Sequence, residues 1–156
     1  MADSMLQVRQ ARATDSSRIY ELSSSFTPSL SLPQEQFTAR FQNILHDTNW
    51  FIGVAAEGRM LFGYVVVQDF GPGLRGSFSV GRMHDMFVDL AHRRQGVGQA
   101  LMESVQAWAS SRPTRLILDW QAPLSAVSFY ESLGYAADYE GDFRNFPGFS
   151  LESEDV

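Results

Sequence analysis

A chain of 156 residues and 17.5 kDa with 44% hydrophobic side chains suits one domain with a proper core and leaves no room for a second. Its net charge of −6 and pI near 4.9 lack the basic footprint of nucleic-acid binding; the acidity reads as a solubilising surface and is compatible with a cationic substrate. No cysteine is present, which excludes disulfides, thiolate nucleophiles, a cysteine-linked acyl-enzyme and cysteine metal sites.

The opening Met1-Ala2-Asp3-Ser4 has no basic region followed by an apolar run, and no stretch approaches the ~20 apolar residues that span a bilayer. A cytoplasmic protein without a membrane partner is expected. Thr14 or Asp15 caps a first helix carrying Ile19, Leu22 and Phe26 on one face, and the segment from Pro28 to Pro33 ends it. Phe37, Phe41, Ile44 and Leu45 give helical spacing from Gln34 to Asp47, a second helix starting beside Pro33 whose aromatics read as core. Trp50 to Ala56 and Met60 to Gln68 read as a β-hairpin with Gly58 in the turn. The loop Phe70-Gly71-Pro72-Gly73-Leu74-Arg75-Gly76 is either a cover for a substrate site or a plain connection.

Arg82 to Val88 is the fourth strand, and Val97, Leu101, Val105 and Trp108 mark one face of the helix that follows. Leu116-Ile117-Leu118 is a short buried strand, and a helix near Pro123 to Ser132 stops at Gly134, which suits a left-handed cap. Ala136 to Phe143 and Phe146 to Leu151 are further strand candidates separated by Arg144-Asn145, and Glu152 to Asp155 reads as a frayed acidic tail. The order is α+β, a mostly antiparallel sheet with a βαβ unit inside it.

The richest stretch is Arg93-Arg94-Gln95-Gly96-Val97-Gly98-Gln99, between the strand ending at Val88 and a helix. Glycines let backbone N–H groups converge on an anion, the helix start adds its positive dipole end, and the arginines add mobile charge. This reads as a pyrophosphate cradle. The dinucleotide fingerprint G-x-G-x-x-G/A expects a small residue where Leu101 stands and glycines almost directly after the strand. Asp119, about 20 residues past the glycines, keeps an NAD-binding reading open through a ribose contact. The phosphate loop of nucleotide hydrolases needs a lysine after its glycines and finds none.

The spacing R/Q-x-x-G-x-G/A over these residues is similar to the pyrophosphate motif of the GNAT superfamily of N-acetyltransferases. Ala126-Val127-Ser128-Phe129-Tyr130-Glu131-Ser132-Leu133-Gly134-Tyr135 resembles that family's A-x-x-F-Y-x-x-x-G-F/Y block, and Val8-Arg9-Gln10-Ala11-Arg12-Ala13-Thr14-Asp15 its first strand and helix cap. The resemblance implies one domain over residues 1–156, with a sheet of six or seven strands flanked by about four helices. Strands four and five would splay apart to admit acetyl-CoA. It implies acetyl transfer to a small amine or a peptide amine by direct attack, no metal, and a homodimer.

By the same resemblance the cradle from Arg93 to Gln99 would hold the pyrophosphate, and the backbone of Met86, Phe87 and Val88 would hold pantetheine and donate to the thioester oxygen. Tyr130 would be the acid for the departing thiolate, with the ring of Phe129 beside it in the core. His84 and Asp85 stand where the spermidine/spermine branch carries an acidic pair, so either is a candidate base, against a water chain to solvent. Strand alternation sends the two to opposite faces unless a bulge intervenes. The place of a family asparagine falls on Pro123 or Gln121, of which only Gln121 could make a side-chain contact to the coenzyme. Trp120 resembles the tryptophan of polyamine-acetylating relatives, but a tryptophan at a strand end more often serves packing.

His46, His84 and His92 have no metal-ligand spacing, and no serine sits in G-x-S-x-G. A non-catalytic acyl-CoA-binding regulatory module remains the competing class.

Overall fold

The computed structural model describes residues 5–26, 32–137 and 147–152. Six strands form a sheet in sequence order: β1 (Gln7–Gln10), β2 (Trp50–Glu57), β3 (Met60–Pro72), β4 (Ser79–Val88), β5 (Leu116–Gln121) and β6 (Gly148–Glu152). The helices are α1 (Ser16–Phe26), α2 (Gln34–Leu45), α3 (Val97–Ser110) and α4 (Val127–Ser132). β1 with β2 and β5 with β6 are antiparallel, whereas β4 and β5 are parallel and are joined through α3, the crossover a parallel pair requires. This is the α+β sheet that the resemblance implies. The chain forms two compact units, Met1–Val67 with Asp85–Val105 and Gln68–His84 with Gln106–Val156.

In the first unit, the turn into α1 is tied by Asp15. Its carboxylate accepts both Arg9 guanidinium nitrogens at 2.8 and 3.0 Å and the Arg12 N–H at 2.7 Å. Of the two capping candidates it is therefore Asp15 that fills the role, as the last residue of a short 3₁₀ turn over Ala13–Asp15 whose side chain reaches back to the Arg12 N–H. Burial acts to raise its pKa, but the bonds from Arg9 and Arg12 prevail and hold the carboxyl below its usual value. Ala11, Ile19, Leu22, Phe41, Ile52, Val54, Leu61 and Tyr64 form the core, with Phe37, Ile44 and Leu45 packed against it. Phe37 stacks on Phe41 and meets Tyr20 edge-on, so the α2 aromatics are core. Gly58 turns the hairpin at φ +58°, and a Cβ on Gly63 would lie 2.8 Å from the Phe87 carbonyl oxygen.

In the second unit, β3 runs on to Pro72 and β4 begins at Ser79. The loop expected from Phe70 to Gly76 is thus shortened to 73–78. Asp69 explains the extension: its buried carboxylate accepts the Gly71 N–H at 2.8 Å and Arg112 Nε at 3.0 Å, fixing the strand's end in spite of Gly71 and Pro72. β5 likewise continues through Asp119, Trp120 and Gln121, paired with β6 from Ile117↔Glu152 to Gln121↔Gly148. Trp120 centres an aromatic cluster with Tyr130, Tyr135 and Phe149 at 5.4, 5.3 and 5.8 Å. Gly134 closes α4 at φ +97°, with the Tyr135 N–H donating to the Tyr130 carbonyl at 3.2 Å. The helix expected near Pro123 to Ser132 forms as a 3₁₀ turn over Leu124–Ala126 followed by α4. Ala136 and Ala137 are not in a strand, and the rest of the candidate ending at Phe143 lies outside the described residues, as does Phe146; the remainder of the last candidate forms as β6, which ends on Glu152, so that residue is paired strand and not tail, while Ser153 to Asp155 lie outside the described residues.

Candidate functional site

The parallel pairing of β4 with β5 runs from Ser79↔Leu116 to Arg82↔Asp119, while β4 itself continues to Val88. Past Arg82 its residues have no β5 partner among the described residues, which is the splay. The Asp89 N–H then donates to the Phe62 carbonyl at 2.7 Å, and a 3₁₀ turn over Leu90–His92 sets the His92 ring on Phe62, centroids 3.8 Å apart.

The glycine stretch follows. Arg94 has φ +63° and Gly96 φ +81°, so the backbone changes hand twice before α3 starts at the buried Val97. Such a path turns successive N–H groups toward one concavity. A non-glycine residue at positive φ costs on the order of 1–3 kcal/mol and is characteristic of functional loops. Around Gly96 a Cβ would meet no atom within 4 Å, so the glycine serves its φ and leaves the backbone open to a ligand. The two arginines differ. Arg93 donates through Nε to the Val88 carbonyl at 3.0 Å and lies over the Phe87 ring at 5.5 Å, clamping the loop onto the end of β4. Arg94 is exposed and has no ion pair among the described residues. Gln95 bonds the Ala91 carbonyl at 3.4 Å, and Gly98 and Gln99 lie in the first turn of α3. Met86, Phe87 and Val88 are half-buried, with the Phe87 ring against the core.

Along β4, Ser79, Gly81 and Met83 are buried while Val80, Arg82 and His84 face outward to varying degrees; Asp85, the next residue, is also exposed. The alternation breaks at the pair His84-Asp85, as an extra residue in the strand would cause. His84 Nε2 lies 2.9 Å from Gln68 Oε1, with the Phe70 ring edge-on. Burial and the Arg82 charge lower its pKa, against the opposing pull of Asp119. Asp85 has no hydrogen bond or ion pair among the described residues. Although part of the residue is exposed, its carboxyl is crowded by protein, and that desolvation raises its pKa.

Tyr130 on α4 is buried, its ring between Trp120, Phe129 and Phe149. Desolvation raises the phenol pKa, so the hydroxyl stays protonated at neutral pH. Phe129 is half-buried at 5.0 Å from that ring. Gln121 is half-buried at the end of β5, and Trp120 is packed, its indole Nε1 without a hydrogen-bond partner among the described residues. Arg82 grips both Asp119 oxygens, at 3.0 and 3.4 Å; the acid that an NAD ribose would need is committed elsewhere. No group of three or more metal-ligating side chains gathers among the described residues. Tyr64 carries no separate signal in the sequence and looks like any core aromatic until its hydroxyl is found buried with no partner among the described residues.

Residues 47–137 match the acetyltransferase (GNAT) domain family. No curated protein matches the chain. Among solved structures, a transcriptional regulator from Bacillus halodurans C-125 is 25% identical with a TM-score of 0.75, covering 88% of this chain and 97% of its own. Glucosamine-6-phosphate N-acetyltransferase from Arabidopsis thaliana is 20% identical with a TM-score of 0.76, covering 88% and 96%. An aminoglycoside N-acetyltransferase solved with CoA is 19% identical with a TM-score of 0.76, covering 90% and 93%. With a domain match over more than half of its length and a β4 that parts from β5 just before a glycine cradle, the chain belongs to the GNAT acetyltransferase family.

Proposed function

We propose that the protein transfers acetyl from acetyl-CoA to a primary amine, by direct attack in a ternary complex. The observation that carries this reading is the open, twice-reversed backbone at Arg94 and Gly96 leading into α3, a shape suited to a pyrophosphate. In this reading the segment from Arg93 to Gln99 binds the pyrophosphate, with Arg94 the uncommitted charge. The backbone of Met86, Phe87 and Val88 lies along pantetheine and an N–H there steadies the thioester oxygen. Gln121 and Phe129 contact the coenzyme.

Asp85 takes a proton from the acceptor ammonium. The freed nitrogen attacks the thioester carbonyl carbon, the C–N bond forms, the C–S bond breaks, and the thiolate takes the Tyr130 proton; the second proton shed by the nitrogen restores Tyr130 through solvent, and Asp85 releases its own to solvent. Asp85 is chosen over His84 because its carboxylate has no hydrogen bond or ion pair among the described residues, whereas His84 already faces Gln68 and burial lowers its pKa. The acceptor is a small or peptide amine, the protein a cytoplasmic homodimer. A non-catalytic acyl-CoA-binding role is the second reading, favoured by the likeness to a protein described as a transcriptional regulator.

Calorimetry with CoA, acetyl-CoA and NAD tests the site. Both CoA forms are expected to bind wild type and to bind Gly98→Asp much more weakly. Binding of NAD alone, or equal acetyl-CoA affinity in a folded Gly98→Asp, would overturn the assignment.

A further inference from the structure

Tyr64 lies on β3 at 1% exposure, its ring in the core and 6.5 Å from that of Phe87. Its hydroxyl oxygen is fully buried and has no hydrogen-bond partner among the described residues. Such a group is destabilising where it stands, since phenylalanine would fill the same space without stranding a donor. The hydroxyl needs an acceptor, and Asp85 stands on β4, the strand beside β3, two residues before Phe87, whose ring lies 6.5 Å from that of Tyr64; the Asp85 charge also acts on the phenol. Asp85 in turn has no partner among the described residues. A donor and an acceptor, neither with a partner among the described residues, thus stand on adjacent strands.

Other charged groups nearby are engaged. Arg18 from α1 bonds the Leu61 carbonyl at 3.1 Å and Asp89 at 3.4 Å, and His84, the preceding residue on β4, faces Gln68.

We infer that Tyr64 is a positioning residue: its phenolic O–H donates to the ionised Asp85 carboxylate and holds it in one orientation for proton abstraction. A donor to the charged form favours that form, so the bond offsets the desolvation of Asp85 and keeps it a base at neutral pH. The role as base rests on the proposed acetyl transfer; the pairing itself does not.

Tyr64→Phe removes the hydroxyl alone. In protein labelled with ¹³C at aspartate carboxyls, with the Asp85 signal assigned through Asp85→Asn, the Asp85 titration should move up by about one pH unit in Tyr64→Phe, the scale of one lost charge-assisted bond. With an amine substrate, the acidic limb of kcat/KM should move to higher pH by the same interval, about tenfold in rate on that limb, with the KM for acetyl-CoA unchanged. Tyr64→Phe should add no further loss to Asp85→Asn. An Asp85 titration at the same pH in wild type and Tyr64→Phe would overturn the pairing. A shifted titration in a protein that acetylates no amine keeps the pairing and overturns the enzymatic reading instead.

Discussion

Tyr130 combines a buried ring with a phenol that burial keeps protonated, the state an acid needs before it meets a thiolate. Tyr130→Phe leaves the ring among Trp120 and Phe149, so acetyl-CoA affinity should persist while turnover falls by about 10²–10⁴-fold, the usual contribution of a positioned acid. Wild-type turnover in the variant at every pH would return Tyr130 to packing. Gly96 is a different kind of residue: a valine there would meet no neighbour but would be strained at φ +81°. Gly96→Val should therefore weaken acetyl-CoA binding together with a stability loss of about 1–3 kcal/mol, read by calorimetry and by thermal unfolding. At the base, His84→Gln should keep the acidic limb of the rate profile and Asp85→Asn should remove it. The reverse pattern would give the proton to His84.

The tie between β1 and α1 carries a pH dependence of its own. Because Asp15 titrates below its ordinary value in the folded protein, its stabilisation is fully present above the unfolded carboxylate pKa of about 3.9. It is lost as pH falls through the lower folded value. Arg9→Ala should flatten that acid loss in thermal melts across pH 2 to 5 (roughly the carboxylate range), and an unchanged acid slope would contradict it. Between β3 and β4, a Cβ on Gly81 would fall 2.2 Å from the Gln68 carbonyl oxygen and 2.9 Å from Leu118. Gly81→Ala should cost about 1–3 kcal/mol by forcing the backbones apart, measurable by denaturant unfolding.

The helices were legible because Ile19, Leu22, Phe37, Phe41, Val97, Leu101 and Val105 repeat at helical spacing over long windows. Strand ends were less so: Gly71 and Pro72 look like a loop until Asp69 and Arg112 pair across distant sequence, and Asp119 to Gln121 are too polar to extend an apolar run. The cradle was visible in its glycines, but the different duties of Arg93 and Arg94 depend on a backbone path that no local pattern encodes. Tyr64 was invisible as anything but core, since a satisfied and an unsatisfied hydroxyl are written with the same letter.

At the scale of the whole molecule, a ligand that binds only the folded chain raises its stability by about 2.7 kcal/mol at a hundredfold excess over Kd. Acetyl-CoA should therefore raise the unfolding temperature, and the rise should shrink in Gly98→Asp. Binding of this kind is common to an enzyme and to a regulatory module, so turnover has to separate them. The most direct test is acetyl-CoA consumption followed by free-thiol release across a panel of small primary amines and peptide amines, with mass spectrometry of the products. At least one amine should accelerate thiol release well above the rate without amine, gain one acetyl group per thiol released, and lose that acceleration with Tyr130→Phe. Tight acetyl-CoA binding with no amine-dependent thiol release anywhere in the panel would contradict the proposed acetyl transfer.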